Sequence, residues 1–512
     1  MTGAASVQDG GVLDGPCGHL RGFRADDHAS GQPGIDPGWD EDGDRVEDGG
    51  RLDGSDLVPR LSVLHLNVAV AEYGFGDHAD DADVNLTHLS TSELTRHRDD
   101  LRREYEALQA REFALDLTRG KPSAEQLDLS EPLLELPGAG RHRAGDGTDT
   151  RNYGGLRGLL ELRKIFGELL QVPAEQLVAF GNSSLELMHE CLVHAVLFGV
   201  PGLARPWGLG TGTAFLCPVP GYDRHFALCE KLGIEMITVP MNAAGPDMDE
   251  VERLVAADTR IKGIWCVPKY SNPSGIRYSE KTVGRLARMH TAAADFRIFW
   301  DNAYAVHHLT EVRHGLTDIL RLATAAGHAD RPFVFGSTSK ITLAGSGVAF
   351  YGASPANVDW LTGHLAKRTI GPDKVNQLRH ALFLQTAAGV HAHLDRHRVL
   401  LKPKFDLVQR VLTDQLGDSG VATWTVPEGG YFVTLDVLDG CASRVVDLAA
   451  GAGIALTAAG APFPYGKDPD DRVIRLAPTY PPLAELAEAL NGLVVCIKLA
   501  AIERLLDAPV TR

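Results

Sequence analysis

The sequence predicts an α/β protein with a large, mainly parallel sheet and a smaller α+β domain. Two patterns carry that reading. From Leu177 to about Gly352, short apolar runs alternate with longer amphipathic segments, the signature of strands joined by helical crossovers. Near residue 374 the alternation gives way to a long helical stretch, a few short strands and a closing helix.

Taken in order, residues 1–86 fit neither pattern. They hold 18 acidic against 5 basic side chains and are rich in Gly, Asp and Pro. Such a segment buries too little apolar surface to offset its ordering entropy, which predicts a disordered acidic extension. Its one apolar stretch is Leu57 to Tyr73.

Residues 87–160 predict an N-terminal segment. Ser92 and Glu93 mark a helix start, with the helix running to about Arg111. Leu115-Asp-Leu-Thr-Arg-Gly-Lys-Pro122 then breaks into a loop, and a Tyr153-Gly-Gly turn leads into an amphipathic helix.

Residues 161–373 predict the large domain. Its strands are expected at Leu177–Phe180, Ala214–Pro218, Glu235–Val239, Ile261–Val267, Arg297–Asp301, Phe333–Gly336 and Val348–Tyr351. Helical stretches between them include Ser184–Phe198, Tyr222–Leu232, Met248–Ala256 and Ser279–Ala294. Residues 374–512 predict the small domain: helix from Lys374 to about Leu416, strands at Ala422–Val426, Tyr431–Leu435 and Val473–Leu476, then helix from Pro482 to Leu506.

Composition narrows the function. The chain has 512 residues, 44% hydrophobic and 23% charged, and a formal charge of −17, which argues against nucleic acid as a partner. Seven scattered cysteines without a Cys-x-x-Cys predict reduced thiols and no thiolate zinc site. No apolar run approaches the roughly 20 residues of a membrane span. With no basic-then-apolar leader, a soluble cytoplasmic protein is expected.

Chemistry-bearing residues gather at predicted strand ends, where ligands of such sheets sit. In Phe333-Val-Phe-Gly-Ser337-Thr-Ser-Lys340, one lysine follows a buried strand among hydroxyls rather than carboxylates. Partial desolvation there lowers an amine's pKa and frees its lone pair for a carbonyl carbon, and Ser337 offers a hydroxyl to a phosphate. An ordinary surface lysine is the competing account.

Ile298-Phe-Trp-Asp301-Asn-Ala-Tyr304 ends a strand on an aspartate. A buried carboxylate needs a cation, which a protonated pyridine nitrogen supplies, unless the aspartate merely caps a helix. Asn272 in Asn-Pro-Ser-Gly275 offers an amide donor after the preceding strand, or marks only a turn. Gly181-Asn-Ser183-Ser184 opens a helix with hydroxyls, an anion site or a plain cap. Tyr222 can stack on a planar ring, with Arg224 close behind, and Arg475 sits within an apolar strand, where it either grips a carboxylate or forms a structural ion pair.

In order and spacing, Ser183, Tyr222, Asn272, Asp301, Ser337, Lys340 and Arg475 resemble the class I/II aminotransferases, the fold-type I pyridoxal-phosphate enzymes. The resemblance covers about residues 90–510. Asp116-Leu-Thr-Arg-Gly-Lys-Pro122, Ser337-Thr-Ser-Lys-Ile-Thr342 and Thr369-Ile-Gly-Pro-Asp-Lys374 are similar to the aspartate aminotransferase branch related to MocR-type proteins.

The resemblance implies pyridoxal 5′-phosphate as cofactor and the following roles. Lys340 would form the Schiff base and shuttle the proton, and Asp301 would pair with the ring nitrogen. Asn272 and Tyr304 would bond the phenolic oxygen, and Tyr222 would stack on the ring. Ser183, Ser184 and Ser337 would bind the phosphate. Tyr153 would reach the neighbouring subunit's phosphate, implying a homodimer with shared sites. Arg475 would hold the substrate's α-carboxylate, with Gly120 lining the site. For a distal carboxylate, Arg224 is the expected cation, with Lys121 and Arg368 as alternatives.

One departure stands out. The family's phosphate-binding arginine shortly after the lysine is replaced here by the run Ala344-Gly-Ser-Gly-Val348, leaving Ser339 and Ser346 as candidate ligands.

The implied reaction is ping-pong transfer of an amino group from aspartate to 2-oxoglutarate. Aromatic or neutral amino-acid transfer, β-elimination and decarboxylation use the same electron sink and stay open. So does an effector-sensing domain of a regulator, although residues 1–86 lack the basic helical character of a DNA-binding domain. Gly208–Thr213 lacks a dinucleotide fingerprint's spacing. His393 and His397, four apart on a helix, are expected on a solvated face rather than on a metal.

Overall fold

A computed structural model describes residues 84–507, apart from Arg119, Ala204 and Thr211. The expectation for residues 1–83 lies outside the described residues.

Helix α1 (Thr91–Gln109) opens the described chain. Ser90, not Ser92, caps it: Glu93 N donates to Ser90 Oγ at 3.4 Å, and Ser90 N donates to Glu93 Oε2 at 2.8 Å. This reciprocal pair needs a three-residue spacing, which Ser90 has and Ser92 lacks. Helices α2 (Ala124–Asp128) and α3 (Leu160–Leu170) follow.

The alternating region then runs β1 (Leu177–Ala179), α4 (Ser184–Phe198), β2 (Ala214–Val219), α5 (Asp223–Lys231), β3 (Glu235–Asn242), β4 (Gly245–Pro246) and α6 (Met248–Ala257). It continues with β5 (Ile261–Cys266), α7 (Glu280–Arg288), β6 (Arg297–Asp301), α8 (Ile319–Ala325), β7 (Pro332–Ser337), β8 (Ala349–Gly352) and α9 (Pro355–Arg368).

These strands form one sheet in the order β1-β8-β7-β6-β5-β2-β3-β4. The pairs from β7 through β3 are parallel, while β8 runs antiparallel to both β7 and β1. Both faces are covered, as the near-continuous apolar strands require. Phe299, Phe333, Phe335, Phe215 and Trp265 pack on one face, and the alternate residues Ile298, Trp300, Val334 and Ile264 on the other.

Helix α7 stops at Arg288, short of the expected Ala294. Met289 leaves the helical region, and Ala292 N instead donates to Val255 O at 2.8 Å. The long helical stretch is two helices, α10 (Lys374–Leu384) and α11 (Ala387–Leu416). Gln385 turns at φ +60°, and Thr386 caps α11 through Gly389 N at 3.0 Å. A Cβ on Gly389 would lie 2.0 Å from Leu384 O, so only glycine fits there.

A second core forms around β9 (Ala422–Trp424), β10 (Val433–Val437), α12 (Ala442–Gly451), β11 (Val473–Leu476) and α13 (Leu483–Asp507). Strand β10 lies centrally, antiparallel to both β9 and β11. Leu86, Leu94, Leu115 and Leu117 join this core. Leu378, Val390 and Leu394 instead join the large-sheet core, and Leu401 and Phe405 the second. The change of core therefore falls within α11, between Leu394 and Leu401, rather than at 373–374. A helix buried along its length can serve two cores with its two halves, which a sequence break cannot reveal. Among the described residues no helix is long and apolar enough to cross a membrane.

Candidate active site

Strands β1, β2, β5, β6 and β7 all end at one edge of the sheet, and the segments leaving them enclose a cleft of about 190 Å³. Ser183, Ser184, Tyr222, Asn272, Asp301, Tyr304, Ser337, Ser339 and Lys340 line it. Sequence positions spanning more than a hundred residues thus meet because every parallel strand delivers its successor loop to the same edge.

Asp301 is 4% exposed. Its Oδ2 lies 3.1 Å from Nε2 of His225, itself buried on α5. The other oxygen, Oδ1, is buried with no partner among the described residues. A buried carboxylate oxygen left open is costly unless a donor completes it. His225 stacks on Trp265 at 4.2 Å and meets the Tyr222 ring edge-on at 4.9 Å, so its orientation is fixed by packing. Asp301 is therefore no helix cap.

The Lys340 amine lies 5.2 Å from the centre of the Tyr304 ring. Burial pushes its pKa down, and the charge of Asp301 opposes that in part. Burial pushes Tyr222 up to about 12, with the charges of Asp301 and Asp223 adding to it. It also raises Tyr304 well above the ordinary phenol value. Both phenols are thus protonated donors at neutral pH.

Buried imidazoles hold the Lys340 loop. His307 Nε2 lies 3.1 Å from Lys340 O, His393 Nε2 2.8 Å from Ile341 O, and His380 Nε2 2.9 Å from Thr342 Oγ1. His397 bonds His393 at 3.2 Å and Gln126 at 3.0 Å. The expected solvated face for His393 and His397 is thereby corrected: they are 6% and 1% exposed. They face inward because α11 packs its polar stripe against the loop carbonyls, which need donors once buried.

The hydroxyl region is built differently. Ser183 caps α4, its Oγ accepting from Glu186 N at 3.4 Å, and Ser184 is the first helical residue. Ser339 Oγ donates to Asn182 O at 3.2 Å. Val348 is a core residue at 1% exposure, and its N donates to Thr338 Oγ1 at 2.9 Å. Ser346 lies outside the cleft lining. Arg368 pairs with Glu186 and Glu190 at 3.4 and 3.1 Å.

At the small-domain side, Arg475 (7% exposed) lies over the Phe432 ring at 5.1 Å. Gly120 packs against that same ring; a Cβ there would stand 2.5 Å from it. Arg224 is exposed on the first turn of α5, and its neighbour Asp223 is the residue that meets Arg475. Lys121 lies over the Tyr480 ring at 3.7 Å. Tyr153 is 80% exposed, outside this chain's own cleft.

Sequence reasoning missed His225, Asp223, His307 and His380. The His225 signal was legible: it stands one turn after Tyr222, on the face that α5 buries.

This architecture is that of the fold-type I aminotransferases. The crystal structure of an aspartate transaminase from Corynebacterium glutamicum matches it with a TM-score of 0.81 and 49% identity, covering 83% of this chain and 100% of that one. The chain belongs to the aspartate aminotransferase family, whose model, described as aspartate amino-transferase, matches residues 89–508. A Mycolicibacterium smegmatis protein bearing a provisional aminotransferase name is 56% identical over 425 residues, 83% of this chain and 99% of the relative. An aspartate aminotransferase of Corynebacterium glutamicum is 49% identical over 420 residues, 82% and 97% of the two chains.

Proposed function

We propose that this protein is a cytoplasmic, homodimeric pyridoxal-phosphate aminotransferase that moves the amino group of aspartate to 2-oxoglutarate by a ping-pong route. The observation that carries it is the open, buried Oδ1 of Asp301, in one cleft with a desolvated lysine. That oxygen fits the N–H of a protonated pyridine ring, and the serine hydroxyls lining the same cleft suit the ring's phosphate.

When bound, pyridoxal phosphate supplies an electron sink for negative charge at the substrate α carbon. Asp301 holds the ring nitrogen, and His225 fixes the carboxylate's orientation. Asn272 and Tyr304 bond the phenolic oxygen, and Tyr222 covers the ring. Ser183, Ser184, Ser337 and Ser339, with the N-terminus of α4, bind the phosphate, and Tyr153 reaches across to the partner's site. Lys340, its pKa lowered by burial, takes the proton from the substrate α carbon. Arg475 binds the α-carboxylate beside Gly120. Arg224, exposed on the first turn of α5, binds the distal carboxylate.

An absorbance titration tests this. The cofactor band should change with aspartate and return with 2-oxoglutarate, and Lys340→Ala should lower turnover at least ~10³-fold, within the range of a lost acid–base group. A band indifferent to aspartate removes the substrate assignment; no band after adding pyridoxal phosphate removes the lysine assignment.

A further inference from the structure

The arginine assigned to the substrate already holds a carboxylate of its own chain. Arg475 Nη1 donates to Asp223 Oδ1 at 2.9 Å. Its other partners are neutral: Thr457 Oγ1 at 3.2 Å from Nη2, Asn272 Oδ1 at 3.5 Å from Nη1, and the Phe432 ring below. Nε is buried with no partner among the described residues. Among the described residues Asp223 is thus the one charged group bonded to this guanidinium.

The two members of the pair are anchored unequally. Arg475 sits in β11 with 7% of its side chain exposed, whereas Asp223 opens α5 and is 31% exposed. An arriving α-carboxylate would put a second anion on the same guanidinium, and like charges a few ångströms apart repel strongly in a desolvated site. Asp223 is the more exposed partner and is the one free to move aside.

We propose that Asp223 is a specificity-determining residue that occupies Arg475 in the empty enzyme and yields it only to a substrate carboxylate. The inference rests on Arg475 being the substrate's α-carboxylate ligand. Its consequence is a filter. An anion can replace Asp223 on the guanidinium, whereas an amine lacking an α-carboxylate leaves the pair closed. Each carboxylate binds against an intramolecular competitor, so its apparent affinity falls by the fraction of time the guanidinium is open.

Calorimetric titration of the cofactor-loaded enzyme with maleate, and by displacement with the monocarboxylate crotonate, tests this. If the guanidinium is open about a tenth of the time, Asp223→Asn and Asp223→Ala should each bind both anions about tenfold more tightly. Weaker binding in both variants overturns the proposal and makes Asp223 a group that orients Arg475. A gain confined to maleate also overturns it, since Asp223 would then only repel the distal carboxylate. Arg475→Lys separates the two readings: if it leaves maleate affinity unchanged, the assignment of Arg475 itself has failed.

Discussion

Two regions of the cleft lining solve the same problem, holding a charged group, by opposite means. In one a single carboxylate, Asp301, is buried to 4% exposure and steered by one imidazole. In the other, four serines and a helix N-terminus present neutral donors, and apart from Lys340 no lysine or arginine lines the cleft among the described residues. Arg368, near that helix, already pairs with two glutamates. A ring nitrogen has one proton to give, so one well-placed anion suffices, and desolvation strengthens it. A phosphate has several acceptor oxygens, so its binding can be spread over many weak bonds. The first design concentrates the energy in one residue; the second distributes it.

That contrast can be broken in its concentrated region first. Asp301→Asn should cost about 3–5 kcal/mol of transition-state stabilisation, as expected for breaking a buried charge pair. His225→Asn should cost less, about 1.5–3 kcal/mol for a bond to a charged group. Steady-state kcat/KM for aspartate measures both, and equal losses would show that the imidazole does more than orient. In the distributed region, Ser337→Ala and Ser339→Ala should each weaken cofactor retention by only about 0.5–1.5 kcal/mol, read by equilibrium dialysis of pyridoxal phosphate. A loss as large as that of Asp301→Asn from either serine would erase the difference between the regions.

The smallest effect at neutral pH concerns the imidazoles under the lysine loop. Burial pushes His307 and His397 down to about 3, and His380 and His393 to about 4. Their unfolded counterparts titrate near 6.5. Between those values the unfolded chain binds more protons than the folded one, so stability is fully present above pH 6.5 and is lost as pH falls toward 4. The slope is at most about 1.4 kcal/mol per pH unit for each histidine. Urea midpoints should therefore be flat from pH 8 to 7 and fall steeply from 6 to 4.5. His393→Asn and His397→Gln should flatten that fall; an unaltered fall would place the acid sensitivity elsewhere.

The order of strands and helices, the strand-end positions of Asp301, Asn272, Ser337 and Lys340, and the family itself were all legible in the sequence. Each depends on local period, turn residues and spacing along the chain, which the chain carries without folding. What stayed hidden depends on pairs far apart in sequence. His225 meets Asp301, and Asp223 meets Arg475, only because α5 crosses in front of the sheet. His393 and His397 look like a solvated pair until α11 turns His393 onto the Ile341 carbonyl and His397 onto His393 and Gln126. The boundary between the two cores falls inside one continuous helix, where the helical pattern of the sequence does not change. Local sequence determines where a polar side chain starts; burial and the partner it finds there, fixed only by tertiary packing, decide whether it is a cap, a switch or a support.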